Sequence, residues 1–283
     1  MPAIVHSLAE LQGIRETWRI AGESVALVPT MGSLHDGHKA LALEATRHAD
    51  RCVLSIFVNP LQFGAGEDFE EYPRSLLADE AFLADTLVDL IFAPSVDVMY
   101  PEGADSAPSV SAGPLGDTFE GASRPGHFDG VLTVVKRLFD YVSPDMAVFG
   151  CKDAQQLFLV RQMVEDHHLT LPILEVETVR DSSGLALSSR NAQLSEIART
   201  QAREIPRALD EASRQLTALD ARDCARDILA GARGVSVDYV EVVNPDTFLP
   251  LHKDAPAGDA RLIVAVTLGG VRLIDNRLLH FGQ

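Results

Sequence analysis

Basic residues are scarce in this chain: 24 Lys and Arg stand against 41 Asp and Glu, for a net charge of −17. That balance leaves no cationic stripe to neutralise a phosphate backbone, so nucleic acid is excluded as a main partner and small molecules are expected. Cysteine is scarce too. Cys52, Cys151 and Cys224 are far apart and odd in number, which excludes a disulfide framework and fits a reducing compartment. No apolar run is long enough to span a bilayer, and the first 18 residues carry charge with helical periodicity in place of a secretory core. The expected location is the cytoplasm, with no membrane partner. What the chain does hold is 46% apolar residues over 283 positions, enough to bury the core of one large domain or two smaller ones.

Chemistry concentrates where an apolar run, residues 25–28, gives way to Pro29-Thr30-Met31-Gly32-Ser33-Leu34-His35-Asp36-Gly37-His38 and then to a helical pattern over 39–48. This reads as a strand, a tight turn and a helix opening, a junction that suits nucleotide phosphates. Gly32 and Gly37 let the backbone approach a ligand, and the first amides of the helix are expected as unpaired donors beside a partial positive charge. His35 and His38, three residues apart, share a face. A neutral imidazole donates to a phosphoryl oxygen without gripping the ground-state charge too tightly. A structural pair at a helix start is the alternative, and two histidines with no third ligand at metal spacing make a poor metal site.

Further apolar runs at 52–58, 88–92 and 146–149 read as buried strands, with amphipathic helical segments such as 130–142 between them. The alternation predicts a doubly wound parallel α/β sheet whose ligands sit at the carboxyl ends of the strands. After the second strand comes a glycine-containing loop, residues 59–68, in which Gln62 offers a donor and an acceptor to a substrate bearing hydroxyl and carboxylate groups. Residues 100–130 are long for a connection and are either a functional loop or a mobile one. Within them Arg124-Pro125-Gly126-His127-Phe128 is either a lid or a folded turn.

Beyond Phe149, the run Gly150-Cys151-Lys152-Asp153-Ala154-Gln155-Gln156 opens a helix reaching about residue 168. A lysine at a helix start is explained best by an anionic ligand, Asp153 is a candidate cap, and Gln156 is expected to face the same pocket as Gln62. Cys151 is a bystander or a thiol activated by Lys152; His167 and His168 at the far helix end read as structural. A strand pattern over 171–179 leads into residues 180–191, where Ser188, Ser189 and Arg190 suit phosphate oxygens, a cap before 192–194 being the alternative. A long helix over 195–219, kinked at Pro206, a second over 221–232, and strands at 237–243, 261–268 and 271–274 follow, the last two joined by a Gly269-Gly270 hairpin turn. These make a smaller α+β domain. The expected division is 1–184 and 185–283, with the active cleft between the two.

Five ordered motifs, residues 29–38, 57–63, 124–128, 152–156 and 188–191, together resemble the pantothenate synthetase family over nearly the whole chain. The resemblance implies a Rossmann-like nucleotidyl-transferring fold of the HIGH type and an ATP-dependent ligase that condenses pantoate with β-alanine, releasing AMP and pyrophosphate. It implies ATP contacts from Met31, Gly32, Ser33, Leu34, His35, Asp36, Gly37 and His38, from Gly150, Cys151, Lys152 and Asp153, from Val179, and from Leu187, Ser188, Ser189 and Arg190. By the same resemblance His38, His35, Lys152 and Arg190 are catalytic, Gln62 and Gln156 hold pantoate with Gln62 also near β-alanine, and the enzyme is a homodimer. Mg²⁺ is expected with the triphosphate, with Asp79 as its candidate ligand or a group supporting its ligands. Cys151, Leu187 and Asp129 depart from the family pattern, and Asp129 is expected to alter the charge of its loop. An adenylyl- or cytidylyltransferase, or a nucleotide-binding regulator without turnover, are the rival readings.

Overall fold

The apolar runs of the first half are strands because Val, Ile, Leu and Phe fit a pleated surface covered on both faces, and they pair in parallel because helices carry the chain back between them. A computed structural model describes residues 1–64, 69–70, 72, 74–252 and 258–282; part of the glycine-containing loop, residues 65–68, lies outside the described residues. Two compact units emerge, Met1–Cys151 with Leu159–Glu177, and Lys152–Phe158 with Thr178–Gln283. The expected boundary at 184/185 falls inside the second unit.

In chain order the first unit lays down β1 (Ala3–Val5), α1 (Leu8–Ala21), β2 (Val25–Thr30), α2 (Asp36–His48), β3 (Arg51–Ile56), a 3-10 turn (Pro60–Gln62), α3 (Leu76–Phe82) and β4 (Leu90–Phe92). After α4 (Val96–Met99), α5 (Glu120–Ser123) and α6 (His127–Val142) come β5 (Met146–Gly150), α7 (Ala154–Asp166), whose opening belongs to the second unit, and β6 (Ile173–Val176). The six strands form one sheet in the order β1-β4-β3-β2-β5-β6, and every pairing is parallel. Leu27 of β2 lies opposite Val53 of β3 on one side and Ala147 of β5 on the other. Strand order therefore reverses at β2. The turn after β2 and the end of β5 sit on neighbouring strands at the carboxyl edge, where parallel sheets receive their ligands.

Ala26, Val28, Cys52, Leu54 and Ile91 pack with Ala42 and Ala45 of α2 in one buried cluster. Each large apolar side chain removed from water in this way contributes roughly 1.5–3 kcal/mol, so the core holds the sheet edge that carries the site. α1 is started by Ser7, whose hydroxyl accepts from the Glu10 N–H while the Glu10 carboxylate accepts from the Ser7 N–H. It is stopped by Gly22 at φ 73°. Residues 100–130 are folded, with 3-10 turns at Ala104–Ser106 and Pro114–Asp117. Asp129 helps pin them: its carboxylate accepts from the Ala112 N–H at 2.7 Å, so its charge serves the loop's backbone.

In the second unit a 3-10 turn (Ser189–Gln193) precedes α8 (Glu196–Gln201), α9 (Glu204–Ala212), α10 (Ala218–Gly231) and the strands β7 (Val235–Val243), β8 (Gly258–Leu268) and β9 (Val271–Phe281), which pair antiparallel in that order. The single kinked helix expected over 195–219 is instead two helices. Pro206 sits in the first turn of α9, where a missing N–H has no intrahelical partner to lose. Alanines at 208, 212, 221 and 225 bring α9 and α10 close to the strands, packing with Val240, Leu262 and Val264. Gly269 and Gly270, at φ 58° and 83°, close the hairpin with both residues left-handed, as a two-residue turn of matching twist requires. β9 runs well past Ile274, through Asp275 and Asn276 to Phe281.

Candidate active site

α2 opens with imidazoles where most helices open with hydroxyls or carboxylates. His35 is the N-cap residue and its Nδ1 accepts from the Gly37 N–H at 3.1 Å, while Nδ1 of His38 accepts from the His35 N–H at 3.2 Å. The ring centroids lie 4.1 Å apart. A neutral imidazole that accepts at Nδ1 carries its proton on Nε2, so both rings are donors at their far edge. Gly37 has to be glycine for this packing, because a Cβ there would stand 2.8 Å from the His35 ring.

The turn before them uses its own amides. Gly32 N–H donates to Thr30 Oγ1 at 3.2 Å, Ser33 N–H to Asp79 Oδ2 at 3.0 Å and Leu34 N–H to Asp79 Oδ1 at 2.8 Å. The expectation of unpaired amides at the helix start is thus corrected for Gly37, His38 and Lys39, which donate to His35, and the amides of Gly32, Ser33, Leu34 and His35 in the turn before it also have partners inside the chain. Asp79 supports this turn. It is buried, both of its oxygens brace the turn, and burial pushes its carboxyl above the ordinary value against the pull of the Leu34 and Ser33 bonds. Among the described residues no group of three or more His, Cys, Asp or Glu is arranged to hold a metal ion. Gly32 and Ser33 are both left-handed, at φ 84° and 51°, and a Cβ on Gly32 would come within 2.9 Å of the Asp79 carboxylate. Asp36, exposed in the first turn of α2, complements the helix dipole.

Gln62, at the end of the 3-10 turn, is 8% exposed. Its Nε2 donates to Met31 Sδ at 2.9 Å, tying this turn to the one after β2, and its Oε1 accepts from Asn59 Nδ2 at 3.2 Å. Its backbone carbonyl accepts from His127 Nδ1 at 2.8 Å and Arg124 Nη2 at 3.3 Å. Residues 124–128 are therefore a folded turn fastened to Gln62. Gly130 of α6 touches the same turn so closely that a Cβ would stand 2.2 Å from the Leu61 carbonyl oxygen. Asn59 and Tyr100, which support Gln62, escaped the sequence reading; the signal available was a polar residue directly after an apolar strand.

Gly150 ends β5, and buried Cys151 donates its N–H to the Val176 carbonyl at 2.8 Å. In the second unit Lys152 precedes α7, its Nζ 3.5 Å from Asp153 Oδ1. The Asp153 carbonyl accepts from the Leu157 N–H and starts the helical ladder, and Gln156 lies half-buried in its first turn. Leu187 N–H donates to the Val179 carbonyl at 2.9 Å, and Ser188 Oγ accepts from the Arg190 N–H at 3.3 Å, the cap foreseen as the alternative. Two residues of β9 missed by sequence reasoning support these positions. Asp275, 3% exposed, takes both prongs of Arg180 at 2.6 and 2.9 Å, and Asn276 Nδ2 donates to the Lys152 carbonyl at 2.9 Å.

A parallel sheet whose central strand ends in a pair of Nε2-donating imidazoles defines a Rossmann-like protein of the HIGH-type nucleotidyl-transferring class. The family profile described as pantoate-beta-alanine ligase matches residues 3–278, and the chain belongs to that family. It is 49% identical over 281 residues to the pantothenate synthetase of Acidothermus cellulolyticus, covering 97% of this chain and 91% of that one. The solved pantothenate synthetase of Thermus thermophilus is 46% identical with a TM-score of 0.89, over 97% of this chain and 98% of that one. The pantoate-beta-alanine ligase of Francisella tularensis, solved in complex with Beta-gamma ATP and β-alanine, is 32% identical with a TM-score of 0.80, over 98% of each chain. The chain is accordingly an amide-forming ligase of pantothenate biosynthesis, and the transferase and regulator readings fall away.

Proposed function

We propose that this ligase works in two steps, adenylation of the pantoate carboxylate by ATP and then capture of the acyl group by β-alanine. A carboxylate does not react with amines in water until one of its oxygens belongs to a leaving group. Attack of that oxygen on the α-phosphorus of ATP breaks the bond to pyrophosphate and gives a pantoyl adenylate. The free amine of β-alanine then adds to the acyl carbon, and AMP departs with the bridging oxygen. The observation that carries the reading is the reciprocal capping of His35 and His38 at the carboxyl edge of β2, which places the proton of each neutral ring on Nε2.

His35 and His38 donate to phosphoryl oxygens as charge develops on them, and Lys152 and Arg190 neutralise the leaving pyrophosphate. Residues 31–38, 150–153, Val179 and 187–190 hold the nucleotide; Gln62 and Gln156 hold pantoate, Gln62 also lying near β-alanine. Mg²⁺, an ion that favours phosphate and water ligands, would be held by the triphosphate. When bound it supplies charge neutralisation. The reading includes a cytoplasmic homodimer, supported by the family and by free cysteines at 52, 151 and 224. Pantoate labelled with ¹⁸O in its carboxylate tests the first step: one label is expected in the AMP, and unlabelled AMP contradicts the adenylate.

A further inference from the structure

We propose that Tyr100 is a positioning residue for this reaction: its buried hydroxyl steadies Asn59, which holds the side-chain amide of Gln62 so that Gln62 meets substrate as a hydrogen-bond donor. The inference rests on the reading of Gln62 as a pantoate-binding residue given above.

Asn59 is wholly excluded from solvent, and both ends of its amide are engaged. Its Nδ2 donates to the Gly130 carbonyl at 3.0 Å and to Gln62 Oε1 at 3.2 Å, while its Oδ1 accepts from the Leu61 N–H at 3.3 Å and the Tyr100 hydroxyl at 2.8 Å. A backbone carbonyl only accepts and a backbone N–H only donates, so Gly130 and Leu61 settle which end of Asn59 is oxygen. Polarity then passes along the chain of bonds. The atom of Gln62 facing Asn59 Nδ2 has to be the oxygen, which turns Nε2 toward Met31 Sδ, 2.9 Å away.

Tyr100 closes the other end. It is 1% exposed, its ring lies 6.1 Å from that of Phe57 and 5.0 Å from the guanidinium carbon of Arg137, and burial pushes its phenol well above the ordinary value. It therefore stays protonated and donates. Without that hydroxyl, Asn59 keeps its polarity from Gly130 and Leu61 but loses the shortest bond to its Oδ1, so it is held less firmly and the bond from its Nδ2 that orients Gln62 weakens. The loss falls on pantoate and leaves the nucleotide untouched.

The test uses the full-length enzyme with Tyr100→Phe, Gln62→Ala and the double variant, following pyrophosphate release. Tyr100→Phe is expected to raise KM for pantoate about tenfold, the loss expected for a hydrogen bond of ordinary strength, with KM for ATP changed less than about twofold. In the Gln62→Ala background it is expected to add almost nothing, since residues acting through one another are not additive. Wild-type pantoate KM in Gln62→Ala overturns the reading of Gln62 itself. An effective Gln62→Ala with a Tyr100→Phe that is additive, silent, or equal for both substrates overturns only the role of Tyr100. If Tyr100→Phe does not fold, the wild-type enzyme serves. The Gln62 side-chain ¹⁵N resonance, assigned by its loss in Gln62→Ala, is expected to move on pantoate addition, and a resonance that stays in place overturns the proposal.

Discussion

A neutral histidine that caps a helix through Nδ1 carries its proton on Nε2, so His35 and His38 fix their tautomers with the same bonds that start α2. The two tasks of His38 can be separated. His38→Asn keeps a side-chain oxygen able to accept from the His35 N–H and removes the Nε2–H; His38→Ala removes both. Both variants are expected to lose about 10²–10³ in adenylation rate, measured as pyrophosphate release, whereas urea unfolding should show a loss of about 0.5–2 kcal/mol for the alanine variant and little for asparagine. Asp79 gives a pH signature. Its carboxyl is held above the ordinary 3.8 chiefly by burial, so the folded state binds its proton more tightly than the unfolded state does. Stability contributed by the protonated form is then lost as pH rises through the window that opens at 3.8. Relative to Asp79→Asn, which does not titrate, the wild type is expected to lose stability across that window in paired denaturant curves. A parallel pH dependence of the two proteins would contradict the assignment.

Between elements, closeness of approach carries the account. α6 meets the 3-10 turn at Gly130 with no room for a methyl group, so Gly130→Ala is expected to displace Leu61 and Gln62, cost about 1–3 kcal/mol and raise KM for pantoate more than KM for ATP. Asp275 and Arg180 join β9 to the segment running from Val179 to Leu187. Asp275→Ala leaves a partly buried guanidinium without its carboxylate and is expected to destabilise the protein by about 3–5 kcal/mol, read by chemical denaturation, whereas breaking a solvent-screened surface pair such as Arg19–Glu16 should change stability little. The same elements show what sequence alone reveals. β2, β3, β5 and the Gly269-Gly270 hairpin were legible because an unbroken apolar run and a pair of glycines have few other uses. β1, three residues long, is too short to show a period. The far half of β9 was hidden by Asp275 and Asn276, polar residues that read as a strand end until Arg180, Arg261 and Lys152 are seen to satisfy them. The imidazole pair was legible as a motif, but its Nδ1 capping, and the use of the neighbouring amides by Thr30 and Asp79, depend on a residue 46 positions away in sequence that no local pattern announces.

At the scale of the whole molecule, a chain with net charge −17 has to receive an anionic nucleotide and an anionic acid. Its field repels both at long range, so binding depends on a few local donors, His35, His38, Lys152, Arg190 and the amides of Gln62 and Gln156, which the proposal assigns to the reaction. The family establishes the bond that is made, and the open question is the order in which bonds form. The most direct measurement mixes enzyme with ATP and pantoate in the absence of β-alanine and follows pyrophosphate on the timescale of a single turnover. A burst equal to the concentration of active sites, followed by AMP and pantothenate on addition of β-alanine, is predicted; pyrophosphate that appears only once β-alanine is present would contradict the adenylate and the roles given to the two histidines.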